Sequence, residues 1–385
     1  MIYLDNAATT AIKPLSVATA VYEAIAGGDL GNPARGAHDY AVNAFRKIYN
    51  FRETAAHLFG VADPLNIALV QNATDGLNRV LKGYFNPGDH IISSLTEHNS
   101  VLRPLYQLEK TGVTVDFVGI DDQARLRYEE FEAFLKPQTK AVVITAASNV
   151  TGNPTDLKFI GNFCAKHGLK FFLDASQGAG VVDVNMEKLG IDVLCTTGHK
   201  SLYGPQGTGI VAVNGAVKFQ PVFSGGAGSH SFLHEHPATM PDVLESGTLN
   251  TPGAAGLTAG LAYVQQMGRA AIQTKLAELE RQFIQGLARI PAIKTYGDLT
   301  LAGRAPVIGI NLGDLPSAEV AAILNEEYGI AVRPGAHCAP RLHEALGTVE
   351  QGILRFSFST FNTPADIQQA LTALTLIQEQ IGGSY

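Results

Sequence analysis

Apolar positions fall into short runs at residues 67–70, 91–92, 115–118, 141–146, 171–173, 193–195 and 210–213, unbroken but for Asp116 and Thr145. Each run ends in a polar or glycine-bearing turn, and the next follows after roughly 20–30 residues. Unbroken rather than alternating apolarity marks strands covered on both faces, and that spacing leaves room for a crossover helix. The pattern predicts an α/β protein with a mostly parallel seven-stranded sheet between layers of helices. Residues 15–28 and 39–59 carry helical patterns, separated by the turn residues Gly31-Asn32-Pro33-Ala34-Arg35-Gly36.

The rhythm changes after Gly253. Ile272, Leu276, Leu279, Phe283 and Leu287 recur at the spacing of one helical face. Runs at 307–312, 330–333 and 354–358 read as strands of a smaller sheet. A last helix starts where Thr363 can cap and Pro364 can take the first helical position, with Ile367, Leu371, Leu374, Ile377 and Ile381 on its face. The expected division is a large domain over residues 15–252 and a smaller α+β domain from residues 1–14 and 253–385.

Polar residues gather just beyond the predicted strand ends: Thr74, His98, Asn149, Asp174 and Lys200. Ligands of open α/β sheets bind at that edge, so five separate turns can converge on one cleft. Lys200 lies between two apolar runs, either snorkelling to solvent or desolvated into an amine nucleophile for carbonyls. Asp174 closes an apolar strand and needs a partner, a protonated heterocyclic nitrogen or a helix cap. Asn72-Ala73-Thr74-Asp75-Gly76 opens a helix after a strand, which suits an anion, and Thr197 and His199 can add donors. His98 suits ring stacking and proton movement, or an ordinary solvated loop.

Composition narrows the field. With 46% hydrophobic and 16% charged residues, 40 glycines and 18 prolines, the chain suits a globular enzyme of about two domains. A net charge of -7 without a basic run gives no indication of a nucleic-acid or membrane surface. The opening MIYLDNAATTAIKP has no export-signal pattern, and three sparse cysteines argue for a reducing, cytoplasmic setting. No dinucleotide or P-loop glycine string occurs. His230, His234 and His236 match no zinc spacing, so no metal is expected. Cys164 and Cys195 read as apolar fillers. Cys338, in Arg333-Pro334-Gly335-Ala336-His337-Cys338-Ala339-Pro340, is expected in a mobile loop where Arg333 and His337 favour its thiolate. Arg355, a charge inside a strand-like run, suits a carboxylate clamp or a structural salt bridge.

From YLDNAATT at residues 3–10 to RFSFSTFNT at 355–363, the chain resembles the class V, fold-type I pyridoxal-phosphate enzymes. The likeness is to their cysteine desulfurases and selenocysteine lyases. It implies that Lys200 carries pyridoxal 5'-phosphate, Asp174 pairs with its ring nitrogen and Gln177 with its phenolic oxygen. His98 would stack on the ring, Asn149 would touch it, and Ala73, Thr74, Thr197 and His199 would hold the phosphate. Thr248 is similar to a residue that reaches the phosphate across a homodimer interface. Cys338 matches the persulfide-forming cysteine, and Arg355 the substrate-carboxylate arginine, with Asn149, Arg333 and Arg35 also on the substrate side. The implied reaction turns L-cysteine, or L-selenocysteine, into L-alanine and passes the sulfur to an acceptor protein or small thiol. The loop at Cys338 looks like that of the shorter-loop branch, whose members work with a dedicated acceptor. Thr197 replaces a frequent serine, Asp75 stands where glutamate is usual, and Arg341 and His343 add bulk after the cysteine. The competing readings are an aminotransferase, epimerase or β-lyase in which Cys338 is incidental, and an α/β binding module without chemistry.

Overall fold

The computed structural model of the chain describes residues 1–34, 36–215 and 217–382. Its strands are β1 (Ile2–Tyr3), β2 (Ile67–Val70), β3 (His90–Ser94), β4 (Thr114–Val118), β5 (Thr139–Thr145), β6 (Lys170–Asp174), β7 (Val193–Thr197) and β8 (Gly209–Val213). Then come β9 (Ile293–Tyr296), β10 (Val307–Leu312), β11 (Ile330–Ala331) and β12 (Leu354–Ser357).

Strands β2 to β8 form the expected seven-stranded sheet, in the order β2-β8-β7-β6-β5-β3-β4. Among the described residues β8 alone runs against its neighbours. The unbroken apolar runs follow from cover on both faces. Phe171 and Leu173 enter the hydrophobic cluster on one side of the sheet, and Phe172 enters the cluster on the other. In β5, Val142 and Ile144 divide from Ala141 and Val143 in the same way. Helices Asp39–Phe59, Leu157–His167 and Thr251–Met267 supply one side, and Ala73–Tyr84 and Asn99–Glu109 the other. Each such large apolar side chain contributes about 1.5–3 kcal/mol.

Strand order places the site. The chain leaves β3 outward to β4 and then returns to the other side of β3 as β5. Connections therefore diverge beyond the carboxyl ends of β3 and β5, which opens a crevice there. Register brings Thr145 beside Asp174, and Asp174 beside Cys195. Close packing by glycine then draws the helix Ala73–Tyr84 onto the same edge. A Cβ on Gly209 would lie 2.7 Å from the Asn72 Cα, and one on Gly76 would lie 2.8 Å from a Val211 methyl.

The C-terminal part has its own core, in which Leu276, Phe283, Ile308, Ile310, Phe356 and Leu374 are buried together. One expectation fails here. The run at 330–333 joins the small sheet only through an isolated antiparallel bridge of Arg333 to Arg355 of β12, while Ile330 and Ala331 pair in parallel with β1. The small sheet is β12-β10-β9, antiparallel throughout. β9 went unread because it lies at the edge, with Lys294 and Thr295 exposed, so it has no apolar run. No helix among the described residues is long and apolar enough to cross a membrane.

Candidate active site

A cavity of about 480 Å³ opens at the carboxyl edge of the large sheet. Asp174, the last residue of β6, lines it. One carboxylate oxygen is held, accepting from the Ser176 amide at 2.9 Å and its hydroxyl at 2.5 Å. The other receives a long bond from the Ser100 hydroxyl at 3.4 Å. Asp174 thus keeps an accepting oxygen for a ligand proton while its orientation is fixed from behind.

Lys200 follows β7 on the neighbouring strand and lines the same cavity. Burial pulls its ammonium down to about 8; Asp174 opposes this, and Arg355 and Arg333 add to it. A lysine so placed releases its proton near neutrality and becomes nucleophilic. Its backbone is braced from the chain's start. Among the described residues the His199 carbonyl accepts from the Thr10 amide, the Thr9 and Thr10 hydroxyls and the Lys13 ammonium at 2.7 Å.

His98 caps the helix Asn99–Glu109, its Nδ1 accepting from the Ser100 amide at 3.0 Å. That bond leaves the ring proton on Nε2. Burial first, then the charge of Lys200, holds the imidazole down to about 4, so it is neutral.

Around the helix Ala73–Tyr84, polar atoms wait for partners. Asn72 Oδ1 takes the Asp75 amide and the Asn72 carbonyl takes that of Gly76. The amides of Ala73 and Thr74 remain at the first turn, where no intrahelical acceptor exists. Thr197 Oγ1 and His199 Nδ1 are buried without a hydrogen bond among the described residues. Each such orphan costs about 1–3 kcal/mol. These two, beside the free first-turn amides of Ala73 and Thr74 at a helix N-terminus, form a corner suited to phosphate. His199 is neutral there, drawn down to about 4 by burial, Lys200 and Lys13.

On the opposite wall, Asn149 donates through Nδ2 to the His337 carbonyl at 2.7 Å, and its Oδ1 is buried and unpaired. Gln177 donates to the Ala7 carbonyl at 3.1 Å. Of the two expectations for Arg355, the structural salt bridge is present. Arg355 pairs with Asp5 at 2.6 Å and donates to the Asn149 carbonyl, yet its Nε is unpaired and it lines the cavity beside Arg333.

Cys338 lies on the rim, exposed, not in the cavity wall. Its segment does not hang free as the glycine and proline suggest. The Cys338 carbonyl accepts from the Asn99 amide at 2.7 Å, next to His98, and the His337 carbonyl accepts from Asn149. His337 cannot promote the thiolate by charge. It is buried with Nε2 on the Ile353 carbonyl, and burial drives it down to about 2. Cys164 and Cys195 are buried fillers whose thiols burial pushes up, that of Cys164 to about 12.

Thr248 is not brought to this cavity. It lines a separate one of about 650 Å³, with Asn32 and Phe45. Arg35 falls outside the described residues. His236 is buried against the carbonyls of Asp242 and Glu245, away from His230 and His234 in role. Among the described residues no three His, Cys, Asp or Glu side chains stand where a metal could sit.

Sequence reasoning passed over Ser100 and Ser176, which orient Asp174, and Asp5 and Lys13, which brace Arg355 and Lys200. It also passed over Glu97, wholly buried between the Ser94 hydroxyl and the Thr145 amide, its Oε2 unpaired. The signal for Glu97 was a carboxylate one residue before His98. The signal for Lys13 was a charge in an otherwise uncharged stretch after Asp5.

The aminotransferase class-V family profile matches residues 2–370, and the chain belongs to that family. Its relatives include the cysteine desulfurase of Salmonella agona, 31% identical over 99% of this chain and 94% of that one. A probable cysteine desulfurase of Pyrococcus abyssi is also 31% identical, over 100% of this chain and 96% of the other. Among solved structures, the apo cysteine desulfurase of Thermococcus onnurineus superposes with a TM-score of 0.91 at 32% identity, covering 99% of this chain and 95% of its own. The resemblance read from the motifs is therefore borne out across the chain.

Proposed function

We propose that the protein is a pyridoxal 5'-phosphate-dependent cysteine desulfurase. The observation that carries this reading is one cavity holding a desolvated Lys200, an Asp174 with an accepting oxygen and a corner of orphan donors, with an exposed cysteine fixed at its rim. These residues fit the cofactor. When bound, it supplies an aldehyde carbon for amines and a ring that takes up the electron pair freed at a substrate Cα.

Lys200 would hold the aldehyde, and its amine, once released, would move the substrate Cα proton. Asp174 keeps a proton on the ring nitrogen, which matters most as negative charge develops. His98, neutral and lining the cavity, would stack on the bound ring. Ala73, Thr74, Thr197 and His199 would hold the phosphate, and Gln177 would bond the phenolic oxygen. Arg355 and Arg333, with Asn149, orient the substrate carboxylate.

The Cys338 thiolate attacks the substrate sulfur. The S–S bond forms as the Cβ–S bond breaks, and its electron pair ends in a C–H bond of L-alanine. The sulfur is oxidised to the persulfide level and the carbon reduced, so L-cysteine plus thiol equals L-alanine plus persulfide without external oxidant. An acceptor thiol then removes the outer sulfur. We place the reaction in a homodimer, in which Thr248 serves the partner's phosphate corner. Exposed Tyr40, Phe45 and Leu65 near the cavity that Thr248 lines support this.

The test is incubation of holoenzyme with L-cysteine, measuring alanine and mapping sulfur by peptide mass spectrometry. One extra sulfur on Cys338 per alanine is expected, absent in Cys338→Ala. Sulfur on Cys164 or Cys195, full activity of Cys338→Ala, or amino transfer to an oxoacid instead of alanine would overturn the reading.

A further inference from the structure

We propose that Arg341 is a positioning residue, latching the Cys338 segment to the large sheet through an aromatic seat made by Tyr106 and Phe117. The inference rests on the reading of Cys338 as the sulfur-accepting thiol.

Three observations meet here. The first is backbone conformation. His337 and Cys338 are consecutive side-chain-bearing residues with φ of 49° and 56°, left-handed values that only surrounding contacts can maintain. The second is that both carbonyls of this pair are anchored to the sheet part, on Asn149 and on the Asn99 amide. Upstream, Gly335 at φ 100° is fixed, exchanging both backbone hydrogen bonds with Ile353 at 3.1 Å. The third is Arg341, in the first turn of the helix Pro340–Leu346 that follows the cysteine. Its guanidinium carbon lies 3.7 Å from the Phe117 ring centre and 5.4 Å from that of Tyr106, and Nε donates to the Tyr106 hydroxyl at 2.7 Å. Tyr106 belongs to the helix that starts at Asn99, and Phe117 to β4.

The two anchored carbonyls fix the segment at its middle, and Arg341 fixes the side downstream. Without that second hold, the strained pair can relax between its fixed upstream end at Gly335 and the helix Pro340–Leu346, carrying the thiol off its approach to the cavity. A cation over an aromatic face, with a directed hydrogen bond, suits this task because it survives at a partly wet surface.

The experiment compares Arg341→Ala, Arg341→Lys and Tyr106→Phe with the wild-type holoenzyme by two readouts. Hydrogen exchange at the Asn99 amide, which the Cys338 carbonyl protects, reports the latch directly. Single-turnover persulfide formation on Cys338, set against exchange of the L-cysteine Cα proton, reports its use. Arg341→Ala is expected to raise Asn99 exchange and slow persulfide formation by about tenfold each, with Cα exchange unchanged. Arg341→Lys, which keeps a cation for Phe117, should recover part of both, and Tyr106→Phe should change them least. Changes under about twofold in Arg341→Ala, or equal loss of Cα exchange and persulfide formation, would overturn the proposal. Should Arg341→Ala fail to fold, Arg341→Lys and Tyr106→Phe decide by the same two readouts. If the wild type forms no persulfide on Cys338, the desulfurase reading fails, while Asn99 exchange still decides whether Arg341 holds the segment.

Discussion

Two regions of this molecule hold a reactive side chain, and they do so by opposite means. At the sheet edge, Lys200 and Asp174 come off neighbouring strands whose pairing sets their separation, and the surroundings are dry enough to move the lysine down to about 8. On the rim, Cys338 stands in water on a strained backbone, held by carbonyl anchors instead of burial. Proton transfer at carbon gains from a dry, fixed environment. A thiol that must hand sulfur onward needs access, so its position is set through its main chain.

The largest test of this contrast is Lys200→Ala. Loss of both the cofactor's covalent partner and the base should lower Cα-proton exchange by about 10⁴-fold, the upper range for a positioned acid–base group. The borohydride-sensitive colour of the cofactor should vanish, while alkylation of Cys338 by iodoacetamide should keep its wild-type rate. A change in that alkylation rate would mean the two regions are not independent.

Glu97 gauges how dry the edge is. Burial raises its carboxyl from 4.5 to about 8, so within that window the folded protein holds a proton that the unfolded chain has released. Stability should fall as pH rises through the window, by about 1.4 kcal/mol per unit, and level off above it. Glu97→Gln removes that slope, so the variant should match the wild type near pH 4 and exceed it increasingly towards pH 8. Denaturation curves whose gap is the same at both pH values would contradict a buried, protonated Glu97.

A smaller effect is expected of Lys13→Met, which removes one donor from the His199 carbonyl. Uptake of pyridoxal phosphate by the apoenzyme should slow by about tenfold. Its pH profile should still rise to a plateau near 8, since the nucleophile is Lys200. A plateau shifted towards 10 would reassign that titration to another group.

How much was legible follows from what each feature depends on. Strand-end residues could be read because their strands are covered on both faces and so appear as unbroken apolar runs. Thr74, His98, Asn149, Asp174 and Lys200 do line one cavity. The rest depends on contacts distant in sequence. Ser100 meets Asp174 only after β3 and β6 enter one sheet, and β11 finds β1 across the chain. His337 looked like a cation because nothing local announces that Ile353 will bury it. Arg341 looked like mere bulk because its seat lies on β4 and a distant helix.

The N-terminal brace has a consequence for biosynthesis. Asp5 pairs with Arg355 and the Ala7 amide with Ser357, contacts that span 350 residues. Residues 5 and 7 therefore wait for residues 355 and 357, made 350 positions later. Closing a loop of that length costs about 5 kcal/mol in chain entropy, which the structure formed between the two ends reduces. A nascent chain stalled before Leu354 can build the sheet yet lacks the arginine on its far wall and the anchor for its first strand. Readiness for chemistry thus also certifies that translation has passed β12.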